Sequence, residues 1–298
     1  MSADSQTLAK LFEASRPHLQ GVAYRMLGSL PEADDAVQEA WLRLSRSDTA
    51  AVENLTGWLT TVVARICLDA LRSRKTRTEA DAESPASIAQ TTTANPEREA
   101  LLAESVGLAL LVVLQALDPA ERIAFVLHDL FAVPFDDVAS IVGRSPDAAR
   151  QLASRARRRV RGAEPSTDSS GDPSGAGLAD QRRLVDGFLT ALRSADFEGL
   201  VAVLGPEFVI RADATASPPN GSEVHGAETW AKQALAWARG AKSARLVRVG
   251  GSVGVVLAPR GRLLRVLLFT FADGRIANAE IVADPVRLRE IELSVFPD

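Results

Sequence analysis

The chain has 298 residues, of which 46% are hydrophobic and 24% charged, and 34 basic against 38 acidic side chains give a formal net charge of −4. This composition is typical of folded soluble protein, and the length allows two or three hydrophobic cores. A negative chain is not expected to coat nucleic acid over its whole surface, so any contact with DNA must be local.

Cysteine and histidine usage excludes several kinds of site. Cys67 is the single cysteine, so the chain forms no internal disulfide and no cysteine-based metal site, and we expect the thiol to be a small buried apolar group. His18, His128 and His225 are far apart in sequence, which argues against a zinc cluster or a Ser-His-Asp arrangement. We therefore predict no metal, no cofactor and no catalytic residues.

The N-terminus lacks the apolar core of a signal peptide, and no run of eighteen apolar residues occurs. These observations predict a cytoplasmic protein with no membrane partner.

Residues 7–75 show the apolar spacing of helices, interrupted at Gly28–Pro31. The second helix, EADDAVQEAWLRL, directs a polar stripe outward. Acidic residues in its first turn stabilise the helix dipole, but an outward acidic stripe that also carries a leucine fits a docking face for a basic partner helix. The residues alone leave both interpretations open. The candidate docking residues are Asp34, which precedes the stripe, and the stripe itself, Asp35, Gln38, Glu39 and Leu42.

A third helix, GWLTTVVARICLDALRSRKTR, has a core-like apolar face and a basic C-terminal half. Cations there suit the helix dipole, which is the purely structural interpretation. Together with the preceding loop they also fit a surface that holds single-stranded nucleic acid. The residues concerned are Asn54, Arg65, Arg72, Arg74 and Lys75.

Changes in composition divide the chain further. We predict a first helical domain at 1–78, a flexible linker at 79–96, a second helical domain at 97–162, a linker at 163–179 and a third domain at 180–298. Ten of the eighteen residues from Gly162 to Ala179 are Gly, Pro or Ser.

The stretch from Asp136 to Arg161 predicts a helix-turn-helix. Gly143 permits the turn, Ser145 is a preferred N-cap, and Pro146 suits the first position of the second helix. Ala149, Leu152, Ala156 and Val160 follow helical spacing and form one apolar seam.

The opposite face of this second helix is basic. Seven arginines and one acid lie between Arg144 and Arg161, so phosphates are the expected counter-charge. A solvated basic helix is the simpler alternative, but the capped turn favours DNA reading, with base contacts from the start of the helix and phosphate contacts from its end. The predicted DNA-binding residues are Arg144, Ser145, Asp147, Arg150, Gln151, Ser154, Arg155, Arg157 and Arg158.

The third domain changes character. Helices are predicted at 180–194, 197–204 and 227–239, followed by several strand-like runs and a last helix at 285–293. Helices first and an antiparallel meander afterwards indicate an α+β fold with a curved sheet.

Three blocks in order resemble bacterial sigma factors of the sigma-70 family, extracytoplasmic function (ECF) type. They are EADDAVQEAWLRL, GWLTTVVARICLDALRSR and LDPAERIAFVLHDLFAVPFDDVASIVGRSPDAARQLASRARRRV, and they cover nearly all of residues 8–161. The C-terminal part, with DGRI at 273–276 and DPVRL at 284–288, resembles the SnoaL-like extension of one ECF subgroup, which is related in fold to nuclear transport factor proteins.

The resemblance implies partners and roles. The acidic stripe would dock on the β′ coiled coil of core RNA polymerase, with the β flap as a second polymerase contact. The Asn54 loop and the third helix would melt and hold the minus-10 element with a base flipped into a pocket, and the helix-turn-helix would read the minus-35 element in promoter DNA. Arg65 stands where an asparagine is common in relatives, and the linker motif rich in Trp, Leu and Pro that is usual in the subgroup is not visible.

For the C-terminal domain the resemblance implies a regulator in cis that sets an open or compact arrangement through weak contacts made effective by the tether. The predicted contact residues are Asp273, Gly274, Arg275, Ile276, Asp284 and Pro285. The alternatives are a SnoaL-like cyclase or isomerase, or a cavity that senses a small-molecule ligand, attached to a DNA-binding module. The candidate pocket residues are Asp213, His225 and Trp230. A response-type activator would not explain the first helical domain.

Overall fold

The computed structural model describes residues 3–47, 54–80, 107–162, 177–216, 223–238, 240–259 and 263–296. The chain forms two compact units. Unit one comprises 1–106 and 117–157, and unit two comprises 107–116 and 158–298. The predicted linker at 79–96 lies outside the described residues from residue 81 onward, as do residues 163–176 of the second predicted linker.

Unit one begins with three helices: α1 (Ala3–Leu27), α2 (Leu30–Leu44) and α3 (Leu55–Ala80). α1 ends at Gly28, whose φ of +72° suits a residue without a Cβ, and Pro31 opens α2. The three helices pack on one another around fully buried side chains that include Phe12, Leu19 and Leu59. The predicted helical periodicity is therefore confirmed in this part of the chain.

Helix α4 (Leu108–Gln115) is apolar on all sides and belongs to unit two. Helix α5 (Pro119–Phe125) continues into one π-helical turn (Val126–Leu130), and α6 (Phe135–Val142) and α7 (Pro146–Arg161) follow. The predicted helix from 97 to 117 is described only from residue 107 onward.

The turn between α6 and α7 has the predicted chemistry. Gly143 ends α6 in the left-handed region with φ +70° and ψ +45°. The Ser145 Oγ accepts a hydrogen bond from the Ala148 backbone N–H at 3.2 Å, and Pro146 starts α7. The helix-turn-helix prediction is confirmed.

Unit two contains an α+β domain, as predicted. Its helices are α8 (Leu178–Ser194), α9 (Phe197–Val203), α10 (Ala227–Ala234) and α11 (Pro285–Glu290), with short 3₁₀ turns at Leu235–Trp237 and Gly240–Ser243. Its strands are β1 (Leu204–Ala212), β2 (Glu223–His225), β3 (Ala244–Val249), β4 (Ser252–Leu257), β5 (Arg265–Ala272), β6 (Arg275–Val282) and β7 (Leu293–Ser294).

The strands form one sheet in the order β2-β1-β6-β5-β4-β3-β7. The meander β3 to β6 is antiparallel, as predicted, whereas β1, which precedes the meander in sequence, pairs with β6 in parallel. The predicted last helix is also too long. It ends at Glu290, and Leu293 and Ser294 pair with Val249 and Arg248 because these residues complete the exposed edge of β3.

Candidate nucleic-acid interface

Helix α7 buries one face and exposes the other. Ala149, Ala153, Ala156 and Val160 are buried, whereas Leu152 of the predicted seam is only half-buried. Ala153 was missed because its neighbour Leu152 is the more hydrophobic residue, although the helical repeat from 149 and 156 also passes through 153. The small residues allow α7 to pack closely against its neighbours.

The predicted DNA-binding residues lie on the outer face of α7 and the turn before it. All of them are exposed except Arg157, which is half-buried. The exposed ones are Arg144, Ser145, Asp147, Arg150, Gln151, Ser154, Arg155 and Arg158. This surface is termed the outer face of α7 below.

Three arginines of α7 form ion pairs within unit one. Arg155 Nε donates to Glu121 Oε1 at 2.9 Å, and Arg157 pairs with Asp129 of the π-helical turn. Arg150 pairs with Asp147 one turn earlier, and its guanidinium lies 5.5 Å from the centre of the Phe135 ring. Arg155 and Arg157 therefore also hold α7 on its neighbours.

Arg144 and Arg158 differ from these three. Both are exposed, and neither makes an ion pair with the described residues. Their charges are thus the most available to an external phosphate, because no intramolecular pair has to be broken.

The predicted residues of α3 contact the helix-turn-helix or support α3 itself. Arg65 Nη2 donates to Ser140 Oγ of α6 at 3.3 Å, and Arg72 Nη2 approaches the Val142 carbonyl at 3.5 Å. Arg74 donates to the Leu27 carbonyl at 3.3 Å and pairs with Glu32, so it ties α3 to α1 and α2. Lys75 lies on α3, but its side chain lies outside the described part.

Asn54 caps α3. Its Oδ1 accepts the Gly57 N–H at 2.9 Å, and its carbonyl accepts the Trp58 N–H at 3.0 Å, so the carboxamide retains an Nδ2 donor for other contacts. Beside it lies a cleft of about 490 Å³ between the start of α3 and α1, lined partly by Ser15, His18 and Thr56.

The outward stripe of α2 divides into two parts. Asp35, Gln38 and Leu42 are exposed, with Leu42 at 39% exposure. Asp34 instead accepts a hydrogen bond from Gln20 Nε2 at 2.6 Å, and Glu39 pairs with Arg43 at 2.9 Å on the same helix. Asp34 thus supports the packing of α1 on α2.

A set of contacts between α1 and the α5–α6 segment was not predicted. The His18 ring meets the Phe131 ring edge-on at 5.2 Å, and the Arg25 guanidinium lies 5.2 Å from the centre of the same ring. Burial lowers the pKa of His18, whose Nε2 lies 3.2 Å from Thr60 Oγ1. Phe131 lies at the C-terminal end of the π-helical turn, and its partners are far away in the sequence, so local periodicity gives no signal for them.

Arg122 is the second unpredicted element. It is 6% exposed and donates from Nη1 to the Met26 carbonyl at the end of α1, at 2.8 Å. Burial, followed by repulsion from Arg74, lowers the pKa of Arg122 to about 10, so the guanidinium stays charged at neutral pH. A cation at a helix C-terminus interacts favourably with the helix dipole. Arg122 therefore links α5 to α1.

The candidate pocket residues of the C-terminal domain have separate roles. Asp213 Oδ1 accepts the N–H groups of Thr215 and Ala216, and its Oδ2 accepts those of Ala283 and Asp284. Burial raises the pKa of Asp213, but these four donors outweigh it and the net pKa lies below its ordinary value. Such a carboxylate ties β1 to the end of β6 and is a poor proton acceptor.

His225 and Trp230 do not join Asp213 in one site. His225 is exposed on β2 beside Glu223 and pairs in register with Val209 of β1. Asp213 lies four residues further along the chain, just after the end of β1. Trp230 is 5% exposed and stacks on Phe188 at 5.4 Å in the core. The geometry therefore does not assemble an acid–base pair from these residues.

The predicted regulatory residues lie in two places. Asp273 and Gly274 form the exposed turn between β5 and β6 with positive φ, and Asp284 caps α11 by accepting the Val286 and Arg287 N–H groups. Ile276 is fully buried, which corrects its assignment as a contact residue, because this position of β6 faces the core. Arg275, beside it, is exposed and donates to the Leu204 carbonyl at 3.3 Å, and Pro285 is exposed.

No helix in the described ranges has the length and apolar character needed to cross a membrane. Cys67 is fully buried in α3, as predicted.

Comparison with known proteins agrees with this geometry. Residues 11–77 match Sigma-70 region 2, and residues 107–160 match Sigma-70, region 4. The chain is 37% identical over 293 residues to the ECF RNA polymerase sigma factor SigJ of Mycobacterium tuberculosis, covering 92% of this chain and 91% of that protein. It is 32% identical over 281 residues to the probable ECF RNA polymerase sigma factor SigI of the same species, with 93% of each covered.

The crystal structure of M. tuberculosis SigJ aligns with a TM-score of 0.46 and 31% identity, over 94% of this chain and 97% of that one. The two helical regions in order and the identity across nearly the whole length establish that the chain belongs to the ECF sigma factors of RNA polymerase.

Proposed function

We propose that the chain recognises promoter DNA through two basic surfaces and docks on core RNA polymerase through α2, with its C-terminal domain regulating it in cis. The observation that carries the proposal is the outer face of α7. It presents side chains that can reach base edges, including Arg150, Gln151 and Ser154, and beyond them the exposed Arg158, all on a rigid helix that follows a capped turn.

The minus-35 element is read by this face. Arg150 and Gln151 lie in the first turns of α7, where a recognition helix meets base edges in the major groove. Arg144 and Arg158 provide phosphate contacts on either side and hold the helix in register.

The minus-10 element is held by the start of α3 and its basic face. Arg65 and Arg72 contact α6 in this structure, so both must be released before they can bind DNA. We infer that region 2 and the described part of region 4 separate when the promoter binds, because the same guanidinium groups cannot serve both partners.

The exposed Asp35, Gln38 and Leu42 form the docking surface for the β′ coiled coil, with Glu39 at its edge. The β flap is the proposed second polymerase contact, made by region 4. An acidic stripe with one exposed leucine suits a basic amphipathic partner helix.

Affinity for core polymerase tests the docking surface. Reversing Asp35 and Glu39 to arginine should weaken the association at least about tenfold, which corresponds to about 1.4 kcal/mol. Asp186→Arg, on the exposed face of α8, is the matched charge-reversal control and should bind as the original chain does. Equal affinity of the double variant and the control would contradict docking through α2.

Regulation in cis is proposed to act through the turn at Asp273 and Gly274 and the start of α11 at Asp284 and Pro285. Asp273→Asn removes the charge and retains a residue type that tolerates the φ of +51°. We expect a changed yield of promoter-directed transcript, measured against Asp186→Asn. The same yield from both variants would count against a contact at this turn.

A further inference from the structure

We propose that the end of the chain, Leu293–Val295, is a clamp that positions the last turn of the recognition helix α7. This inference rests on the proposed reading of DNA by α7 and adds a second connection between that helix and the C-terminal domain. The residues involved, Arg158–Gly162 and the C-terminal segment, belong to the same compact unit.

The first observation is a hydrogen bond at the helix end. The Val295 backbone N–H donates to the Val160 carbonyl at 2.8 Å. The last four carbonyl groups of a helix have no partner within the helix, and Val160 itself is only 4% exposed. The C-terminal segment thus satisfies an acceptor that would otherwise lack a partner in a region with little access to water.

The second observation is the close fit around Gly162. Its φ is +77°, and a Cβ built at this position would lie 2.6 Å from Ser294 Oγ and 3.4 Å from Arg248 Nη1. Ser294 is 7% exposed and Arg248 is 8% exposed. The end of α7, β7 and β3 therefore meet here with no room for a side chain at residue 162.

The third observation is that the clamp is built into the sheet. Leu293 and Ser294 pair with Val249 and Arg248 of β3, and the Gly250 N–H reaches the Glu292 carbonyl at 3.3 Å. Helix α4, which the region 4 match includes, packs on β3 and β7. The segment that holds α7 is thus fixed by strand pairing and by packing.

Charge supports the same geometry. The Arg248 guanidinium lies beside the carboxyl end of α7, where a helix dipole favours a cation. Arg158 and Arg161 remain exposed around the clamp. The contact therefore fixes the helix end and leaves these two arginines accessible to phosphates, so a broken clamp should weaken DNA binding.

A matched pair at residue 295 tests the clamp in the full-length chain. Val295→Pro removes the N–H donor, whereas Val295→Ala keeps it and shortens the side chain. Proline restricts the residue before it to an extended backbone, and Ser294 already has this conformation because it lies in a strand. The substitution should therefore fit the backbone at Ser294. Hydrogen exchange at Arg158–Gly162 should be at least about fivefold faster in the proline variant, since one helix-end hydrogen bond contributes roughly 1 kcal/mol.

A second pair of variants leaves the sequence of the C-terminal segment unchanged. Gly162→Ala should behave as Val295→Pro does, because an added methyl meets Ser294. Gly251→Ala is the control, since Gly251 also has a positive φ, of +96°, but its Cβ would meet nothing within 4 Å. Thermal melting of the four variants and of the original chain shows whether the remaining structure is intact.

The DNA readout uses a duplex selected from a random library by the original chain. We expect the proline and Gly162→Ala variants to bind it about three- to tenfold more weakly than their controls. Exchange and binding that match the controls would overturn the clamp. Failure of the original chain to select any duplex would overturn the proposed DNA reading, and the exchange measurement would still decide the clamp.

Discussion

Arg65 of α3 donates a hydrogen bond to Ser140 of α6 at 3.3 Å, so a residue that we propose for the minus-10 element is held by the helix-turn-helix that we propose for the minus-35 element. His18, Arg25 and Arg122 add contacts between α1 and the α5–α6 segment. These contacts hold α1 and α3 against the α5–α6 segment, and they must break if α3 binds promoter DNA as proposed.

Removing the acceptor of that bond should favour DNA binding. Ser140→Ala frees Arg65 without changing any charge, so we expect the affinity for single-stranded DNA to rise by about two- to fivefold, the size of one exposed hydrogen bond. Arg65→Ala should lower it. Fluorescence anisotropy with a labelled single strand measures both. A loss of affinity in Ser140→Ala comparable to that in Arg65→Ala would contradict this account.

Two arginines of α7 should separate DNA binding from stability. Arg158 makes no ion pair with the described residues, so Arg158→Ala should weaken duplex binding and reduce the slope of log affinity against log salt by about one. Thermal stability should stay the same.

Arg155 pairs with Glu121, which is 6% exposed. Arg155→Ala should lower the free energy of unfolding by about 1 to 2 kcal/mol, a value reduced for the half-exposed arginine. Salt titrations and thermal melts of both variants check the distinction, and equal stability loss in the two would show that it is wrong.

Asp213 should act as a structural group. Asp213→Asn replaces one acceptor oxygen with a donor that faces two N–H groups, so the Ala283 amide should lose roughly 2 to 3 kcal/mol of protection against hydrogen exchange. Because the folded-state pKa lies below the ordinary 3.8, the carboxylate contributes stability above that pH and loses it as pH falls further. Asp186→Asn is the control, and unchanged protection at Ala283 would refute the role.

Cys67 should be inert. Burial raises the pKa of its thiol to about 12, so almost no thiolate exists at pH 8. Alkylation by iodoacetamide should proceed only after denaturation, as followed by mass spectrometry with and without guanidinium. Rapid alkylation of the native chain would mean that α3 opens far more often than its packing indicates.

The sequence predicts the elements well where local patterns dominate. The α6–α7 turn was predictable because Gly143, Ser145 and Pro146 each restrict the backbone locally, and the exposed face of α7 follows from helical spacing. The strands β3 to β6 were predictable because successive antiparallel strands usually pair with their neighbours.

Partner choice over long separations could not be predicted. Three features depend on residues far apart in the chain. They are the parallel pairing of β1 with β6, the pairing of the edge strand β7 with β3, and the contacts of the Phe131 ring with His18 and Arg25. The ion pair of Arg74 with Glu32 and the four backbone donors around Asp213 could not be predicted for the same reason, because such contacts leave no periodic pattern in the sequence.

Promoter-directed transcription by core RNA polymerase tests the central claim most directly. Templates from a random promoter library are transcribed with the full-length chain, with the Asp35→Arg and Glu39→Arg double variant, and with Arg150→Ala. We predict specific transcripts from the full-length chain, almost none from the double variant, and a changed set of selected promoters with Arg150→Ala. No specific transcript above the level of core polymerase alone would contradict the account.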